Sequence, residues 1–415
     1  MVEIERDESV PIGEEMFMKI FSGWSTAQNT AEAGREAWKR AGVPAGEAAN
    51  FIVVFATESY DLKLLDACLR ECAGQTVPIL GGTSCQGVMT EQGFHSENGR
   101  GLGILVLCDP RGRYGVGGCV LGDDPQAAGA RALEAALENA GCPGEMPDLV
   151  WMVSAPGTEE DVLAGLEALV GAHVPVTGGS SADNAIAGNW QQVAGGEVFD
   201  RGVVIGVLFP STAIGSSFHS GYDPGACSGR VTKAEGRTLL EIDGRPAAQV
   251  YNEWTNGGLA KVLPGSGNIL GLTTLQPLGR CAGFMGKVPY YKLSHPETVT
   301  PAGGMTLFSR VNAGDEIVLM QGSRESLLTR AGRVMAGALG LTDMTCDQLA
   351  GALVVYCAGC MLTVQSEMPE VVRVLNEEGG NKPFLGIFTF GEQGFLCGKE
   401  NTHGNLMISV TAFSR

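Results

Sequence analysis

The sequence predicts an α/β fold of the α+β layered kind, with mixed β-sheets, helices packed on them, and two domains. Three observations predict it. Apolar runs of strand length, Phe51-Ile52-Val53-Val54-Phe55, Leu149-Val150-Trp151-Met152-Val153 and Leu353-Val354-Val355-Tyr356, suit strands buried on both faces. Segments with helical spacing alternate with these runs, so that the order strand, helix, strand, helix, strand is written three times along the chain. In the first two copies further apolar strands follow instead of another helix, which favours mixed sheets over a parallel dinucleotide-binding fold.

Taken in order, the first copy starts with the strand Met18-Lys19-Ile20-Phe21 and Gly23. A helix then runs from Asn29 to Ala41, with Ala31, Ala37, Trp38 and Ala41 at helical spacing and Gly42 and Pro44 as its stop. The second copy has Val116 to Leu121, Gly122, and a helix from Pro125 to Ala140 closed by Gly141 and Pro143; the third has Ile317 to Met320, Gly322, and a helix from Glu325 to Leu339 closed by Gly340. After each central strand a second helix is expected, at Asp61 to Ala73, Glu159 to Gly171 and Glu367 to Glu378. Each of these leads into a short strand and a glycine-bearing loop. The first two copies continue with strands at Gly101 to Leu107, at Val203 to Phe209 and at Ala213 to Ser220. Residues 225–310 break the rhythm with many Gly and Pro, a helical patch around Pro246 to Trp254, and strand-like pieces such as Gly283 to Leu293. The expected division is an extension at 1–17, a first domain of two repeats at 18–224, and a second domain at 225–415 with the third repeat at 315–392.

With 415 residues, 44% of them hydrophobic, the chain can bury a full core. The net charge of −18 and the lack of any Lys/Arg run argue against nucleic acid and anionic membrane surfaces as partners. The N-terminus, Val2-Glu3-Ile4-Glu5-Arg6-Asp7-Glu8, is acidic and unlike a signal peptide, and no apolar stretch approaches the roughly 18 residues of a membrane span. A cytoplasmic protein is expected. Twelve cysteines scattered through apolar runs, Cys108 and Cys119 among them, read as free thiols in a reducing compartment.

Chemistry-bearing residues gather at the ends of the repeated strands. The loop Gly178-Gly179-Ser180-Ser181-Ala182-Asp183-Asn184 follows Val174-Pro175-Val176, echoing Gly81-Gly82-Thr83-Ser84-Cys85 and Gly386 to Gly391-Glu392. Such loops offer backbone N–H groups and small polar side chains to a ligand, or serve as tight turns. No phosphate-loop pattern occurs, and Gly99-Arg100-Gly101-Leu102-Gly103 precedes a strand, so nucleotide binding is not expected. Glu392 emerges from an apolar strand and must meet a cation, a backbone donor or a ligand amine. With Asp183 and Asn184 it can take the ammonium of an amino acid, while loop N–H groups and Arg280 take the carboxylate; the alternative is a structural ion pair. The Tyr222 phenol can line the same cleft. Ser84, Cys85, Cys357 and Cys360 are secondary candidates. Cys357-x-x-Cys360 has the spacing of a zinc or redox pair, with Cys397 and His403 to complete four ligands, or simply of two packed thiols. Cys85 with His95 as base would be the nucleophile of a Cys-dependent enzyme, and no third residue to orient them is evident. No cofactor is required by these residues. For haem, His219 and His403 are the candidate axial ligands among the five histidines, and covalent attachment is excluded by the lack of Cys-x-x-Cys-His.

Phe218-His219-Ser220-Gly221-Tyr222-Asp223-Pro224, Val231-Thr232-Lys233-Ala234-Glu235-Gly236 and Leu240-Glu241-Ile242-Asp243-Gly244-Arg245-Pro246-Ala247 resemble the junction between the N- and C-domains of FIST proteins. The resemblance continues through Val355-Tyr356-Cys357-Ala358-Gly359, Glu367 and Gly386-Ile387-Phe388-Thr389-Phe390-Gly391-Glu392, and spans about Met18 to Phe413. It implies a cytosolic sensory domain pair that binds small ligands, often amino acids. It further implies signalling through a partner such as a histidine kinase or chemoreceptor, or haem-based nitric oxide sensing. Two departures stand out. Cys360 occupies a position where the family often has Arg, removing a cation that could meet a ligand carboxylate, and the C-terminal His-Asn phrase survives only as His403-Gly404-Asn405-Leu406. Since the chain runs to Arg415 without room for an effector domain, a separate partner is expected to carry the output. Of the three loops, those with Asp183 and Glu392 are expected at the ligand, and Gly81 to Cys85 as a turn.

Overall fold

The computed structural model describes residues 17–415 apart from Pro264 and Cys397, so the expected N-terminal extension lies outside the described residues except for Phe17. Its helices form where caps and apolar stripes coincide. Asn29 and Asp61 accept from the backbone N–H groups of Glu32 and Leu64 to start the helices Thr30–Ala41 and Leu62–Ala73, and Asp124 does the same for Pro125–Asn139. Ser323 and Ser326 cap each other reciprocally at the start of Arg324–Gly340. The remaining long helices are Glu159–Val170 and Met368–Gly379.

The fold is mixed α/β, and three six-stranded sheets carry the threefold repeat. The first runs Lys19–Ser25, Leu102–Cys108, Phe51–Ala56, Ile79–Thr83, Gln192–Ala194, Glu197–Phe199. The second runs Glu400–Gly404, Glu392–Leu396, Val176–Ser180, Leu149–Ser154, Gly202–Phe209, Arg113–Val120. The third runs Ile214–Ser220, Met407–Ser414, Leu349–Cys357, Phe384–Thr389, Val88–Thr90, Gly93–His95. Each contains one parallel pair, bridged by a helical crossover, among antiparallel neighbours. In each sheet the two strands at one end are a hairpin lent by another unit. The first unit's hairpin completes the third sheet, the second unit's completes the first, and the third unit's completes the second.

Alternation along the central strands divides the side chains between two environments. Phe51, Val53, Phe55, Leu149, Trp151, Val153, Leu353 and Val355 point into one core shared by all three sheets. Their neighbours Ile52 and Val54, Val150 and Met152, and Ala352 and Val354 pack under each unit's own helices. Both faces are therefore dry, and the strands read as continuous apolar runs.

The third unit differs from the expectation. Glu316–Gly322, taken from its local pattern as the unit's first strand, pairs instead with Tyr222–Glu235 in a separate nine-stranded sheet. Its expected place belongs to Ile214–Ser220, which pairs with Met407–Ser414 as Lys19–Ser25 pairs with Leu102–Cys108. The chain thus leaves the third unit after Ser220, builds an inserted sheet around its own core of Leu239, Ile242, Tyr251, Leu278 and Leu319, and returns at the helix Arg324–Gly340. The boundary expected between 224 and 225 falls inside the strand Tyr222–Glu235. The helical patch is Ala247–Trp254, and Gly283 to Leu293 is the larger part of a hairpin of Leu278–Met285 and Val288–Ser294.

Candidate functional site

The three glycine-bearing strand ends meet one another. Ala182 N–H donates to the Thr83 carbonyl at 2.9 Å, Cys85 N–H to Phe388 O at 3.0 Å, and Ser180 N–H to Gly391 O at 2.8 Å, which closes a ring of three loops. The Ser84 hydroxyl accepts from Phe388 N–H at 2.9 Å and donates to Gly87 O at 2.6 Å. The glycines serve this close approach: a Cβ on Gly178, whose φ is +144°, would lie 1.9 Å from Met152 O, and one on Gly179 would lie 2.5 Å from Thr389 Cγ2. A Cβ on Gly391 would press on His403 in the same way.

Within the ring the polar side chains are bonded to the protein itself, most of them to backbone groups. Asp183 is fully buried, and its carboxylate accepts from four backbone N–H groups, Ala185 at 3.1 Å, Ala187 at 2.8 Å, Gly188 at 2.7 Å and Asn189 at 2.9 Å. It organises the loop that carries Ile186 and Trp190. Ile186 sits at φ +55°, a conformation that costs a β-branched residue about 1–2 kcal/mol and that the four bonds hold in place. Asn184 ties this loop to the first unit, accepting from Gln86 N–H at 2.6 Å and donating to Gly99 O at 2.8 Å. The Ser181 hydroxyl donates to Gln191 O, and that of Ser180 to Glu159 at 2.7 Å.

Glu392 is fully buried as well, and among the described residues no cation pairs with it. Its carboxyl accepts from the Thr389 hydroxyl at 2.8 Å and from Met407 N–H at 3.0 Å. Burial pushes its pKa well above the ordinary carboxylate range, and the neighbouring Cys357 adds to the effect. Cys357 and Cys360 are free thiols; their mutual hydrogen bond and burial raise Cys357 far above its usual value. Burial, with Asp183 nearby, pushes Cys85 up to about 12. Cys85 and Cys357 are therefore protonated thiols, not activated nucleophiles. His95, the base proposed for Cys85, is stacked on Trp24 at 3.8 Å and bonded to the Thr90 hydroxyl at 2.8 Å. Of the expected zinc ligands, Cys397 lies outside the described residues, and among the described residues no group of three or more His, Cys, Asp or Glu is placed to hold a metal.

A cavity of about 420 Å³ opens against the third-unit edge of this ring. Cys357, Gly359, Thr389 and Phe390 form its floor. Ile186 and Trp190 come from the Asp183 loop, and Leu270, Thr274, His295, Glu297 and Phe308 from the inserted sheet. Asn405 completes it: 2% exposed, it accepts from His295 N–H through Oδ1 at 3.3 Å, while its Nδ2 is buried without an acceptor. An amide nitrogen left unpaired in a dry wall costs about 1–3 kcal/mol unless a guest satisfies it. His295 is neutral, burial having lowered its pKa to about 4, and its Nε2 donates to Leu270 O at 3.2 Å. Glu297 accepts from the Thr306 hydroxyl at 3.1 Å.

The other sequence candidates stand around this cavity or away from it. The Tyr222 hydroxyl donates to the carbonyl of Thr274, a lining residue, at 2.8 Å and lies 3.6 Å from Cys360. Arg280 is paired with Asp315 at 3.1 Å and is not among the lining residues. His403 is buried with both ring nitrogens engaged, by Gln393 and by Phe308 O, each at 3.1 Å. His219 lies in a different groove that it shares with Arg330, Arg333, Ser216, Ser217 and Thr342. Trp190, His295, Phe308 and Asn405 were not singled out from sequence; only Asn405 had a signal, its place in the His403-Gly404-Asn405 phrase.

An ionic clamp holds the inserted sheet to the second unit beside the cavity. Arg237 pairs with the fully buried Glu159 at 2.5 Å and with Glu160, while Arg310 donates its N–H to Glu160 at 2.7 Å and pairs with Asp161. Burial opposes ionisation of Glu159, but His403 and Arg237 outweigh it and lower its pKa. The hairpin strands Glu392–Leu396 and Glu400–Gly404 of the second sheet link the two: Phe390 and Asn405 of the cavity flank the hairpin, and His403 on its second strand lies 4.0 Å from Glu159 of the clamp.

Two domain profiles cover most of the chain, the FIST N domain over residues 50–245 and the FIST C domain over residues 247–395. The chain belongs to the FIST family. FIST domains are sensory domains, which makes this FIST protein a signalling sensor in the general sense. A stretch of 80 residues is 38% identical to an uncharacterized protein of Methanocaldococcus jannaschii, covering 19% of this chain and 16% of that relative's length. Among solved structures, a cyanuric acid hydrolase from A. caulinodans aligns with 96% of this chain and all of its own length, at TM-score 0.39 and 9% identity. A second cyanuric acid hydrolase structure aligns over the same shares at TM-score 0.36 and 8% identity. Likeness this weak says nothing about activity. No helix among the described residues is long and apolar enough to cross a membrane.

Proposed function

We propose that this FIST protein is a cytoplasmic sensor that binds a small amphipathic metabolite in the cavity of about 420 Å³, an amino acid with an apolar side chain fitting its lining best. The observation that carries the reading is the buried, unsatisfied Nδ2 of Asn405 in a largely apolar wall. A ligand carboxylate satisfies that donor, Glu297 takes the ammonium, and the side chain lies against Trp190, Phe308 and Phe390. In this reading Asp183 and Glu392 act from behind the wall, the first by shaping the Trp190 loop and the second by fixing Thr389.

The ligand touches the inserted sheet, the third unit and the second unit's loop at once. It therefore stabilises the arrangement in which all three are closed, and a partner such as a histidine kinase or chemoreceptor reads that arrangement. A thermal-shift screen with the common amino acids and small carboxylates, followed by calorimetry, tests the site. Asn405→Leu should lower the affinity of any hit roughly tenfold or more. Absence of any stabilising compound, or an unchanged affinity in Asn405→Leu, would sink the proposal.

A further inference from the structure

A second cavity, of about 520 Å³, lies between the edge strand Ile214–Ser220 and the helix Arg324–Gly340. Its charged wall is made by Arg330 and Arg333, and Val334 and Phe395 supply apolar surface. Neither arginine has a carboxylate within ion-pair distance among the described residues. Among the described residues Arg330 Nε is buried without an acceptor, and Arg333 has only the Thr329 hydroxyl at 3.4 Å. Acidic residues outnumber basic ones 46 to 28 in this chain, so the two guanidinium groups are not unpaired for want of partners. Asp223 is the carboxylate that acts on Arg330 from a distance, and it balances only one of the two charges. Burial and the like charge of Arg333 both lower the Arg330 pKa, a cost that an anion between them would remove.

The feature belongs to the third unit alone. The strand registers make Gly23 equivalent to Gly117 and Gly115 equivalent to Gly215, and these glycines meet Ala37, Ala132, Ala136 and Ala338 respectively, which aligns the three helices. In that alignment the counterparts of Arg330 are Ala33 and Ala128, so only the third unit carries a cation there. His219 adds direction. Its Nδ1 lies 2.7 Å from Ser220 O and so carries the proton, which leaves Nε2 as an acceptor for a ligand hydroxyl.

We infer that this cavity is a binding site for a small organic anion, a carboxylate or phosphate monoester, whose charged group lies between Arg330 and Arg333 and whose apolar body lies along Val334 and Phe395. The inference is independent of the amino-acid cavity, with which this one shares no lining residue.

The test titrates the full chain with phenyl phosphate, benzoate and, as a neutral control, benzyl alcohol, read by thermal shift and calorimetry. Either or both anions should bind, benzyl alcohol should not, and Arg330→Gln/Arg333→Gln should weaken anion binding at least tenfold. Phenyl phosphate alone assigns the ligand group as phosphate, and benzoate alone as carboxylate. Should the double variant fail to fold, the exposed Arg333→Gln is read in the same way. No binding of either anion, or equal binding by wild type and variant, overturns the inference.

Discussion

Asp183→Asn tests whether one carboxylate organises the loop over the cavity. Oδ2 of Asp183 accepts three backbone N–H groups and Oδ1 a fourth, all between 2.7 and 3.1 Å. An asparagine keeps a single oxygen. If it faces Ala187, Gly188 and Asn189, those bonds lose their charge assistance at about 1 kcal/mol each, and the amide NH₂ opposes Ala185 N–H at a cost of about 1 more. Relaxation of Ile186 from φ +55° returns about 1 kcal/mol. The net is about 3 kcal/mol of local stability, on the order of a hundredfold in amide protection. Hydrogen exchange followed by mass spectrometry on a peptide spanning 184–190 reads this directly. Protection in that segment should fall while that of the central strand Leu149–Ser154 stays unchanged. Undiminished protection at 184–190 would refute the argument that Asp183 holds this loop.

Three further outcomes follow from the buried charges. Glu392 has a folded-state pKa raised by burial, so the native state binds the extra proton and stability falls as pH rises from about 4.5 towards the folded value; Glu392→Gln should remove that slope in denaturant titrations and leave the variant the more stable form at pH 8. His295 has the opposite sign: its pKa is lowered to about 4, the unfolded state binds the extra proton, and roughly 3 kcal/mol is lost as pH falls from about 6.5 to about 4. An acid-unfolding profile unchanged in His295→Asn would contradict this. Arg237→Met should cost about 3–5 kcal/mol by leaving Glu159 buried without its main partner, and Glu159→Gln in the same chain should recover part of the loss, both measured by chemical denaturation.

The sequence alone determined the repeat, the mixed sheets and nearly every helix boundary, because those follow from local signals. Asn29, Asp61 and Ser323 cap the helices they precede, and the runs at Phe51, Leu149 and Leu353 are apolar throughout since both faces of each strand are covered. It also brought forward the loops at Gly81, Gly178 and Gly391, where a Cβ would strike the backbone of Val54, the backbone of Met152 and the His403 ring respectively. Tertiary structure decided the rest. Which strand begins the third unit depends on pairing across nearly two hundred residues, and the apolar run at Ile317 carries a stronger local strand signal than Ile214-Gly215-Ser216-Ser217-Phe218-His219-Ser220, which takes the place. Whether Asp183 and Glu392 face a ligand or the protein depends on who donates to them, and the donors are backbone N–H groups and a threonine that no spacing reveals. The cavity itself draws Trp190, His295, Phe308 and Asn405 from separate parts of the chain, because a cleft between a repeated core and an inserted sheet exists only once both are folded.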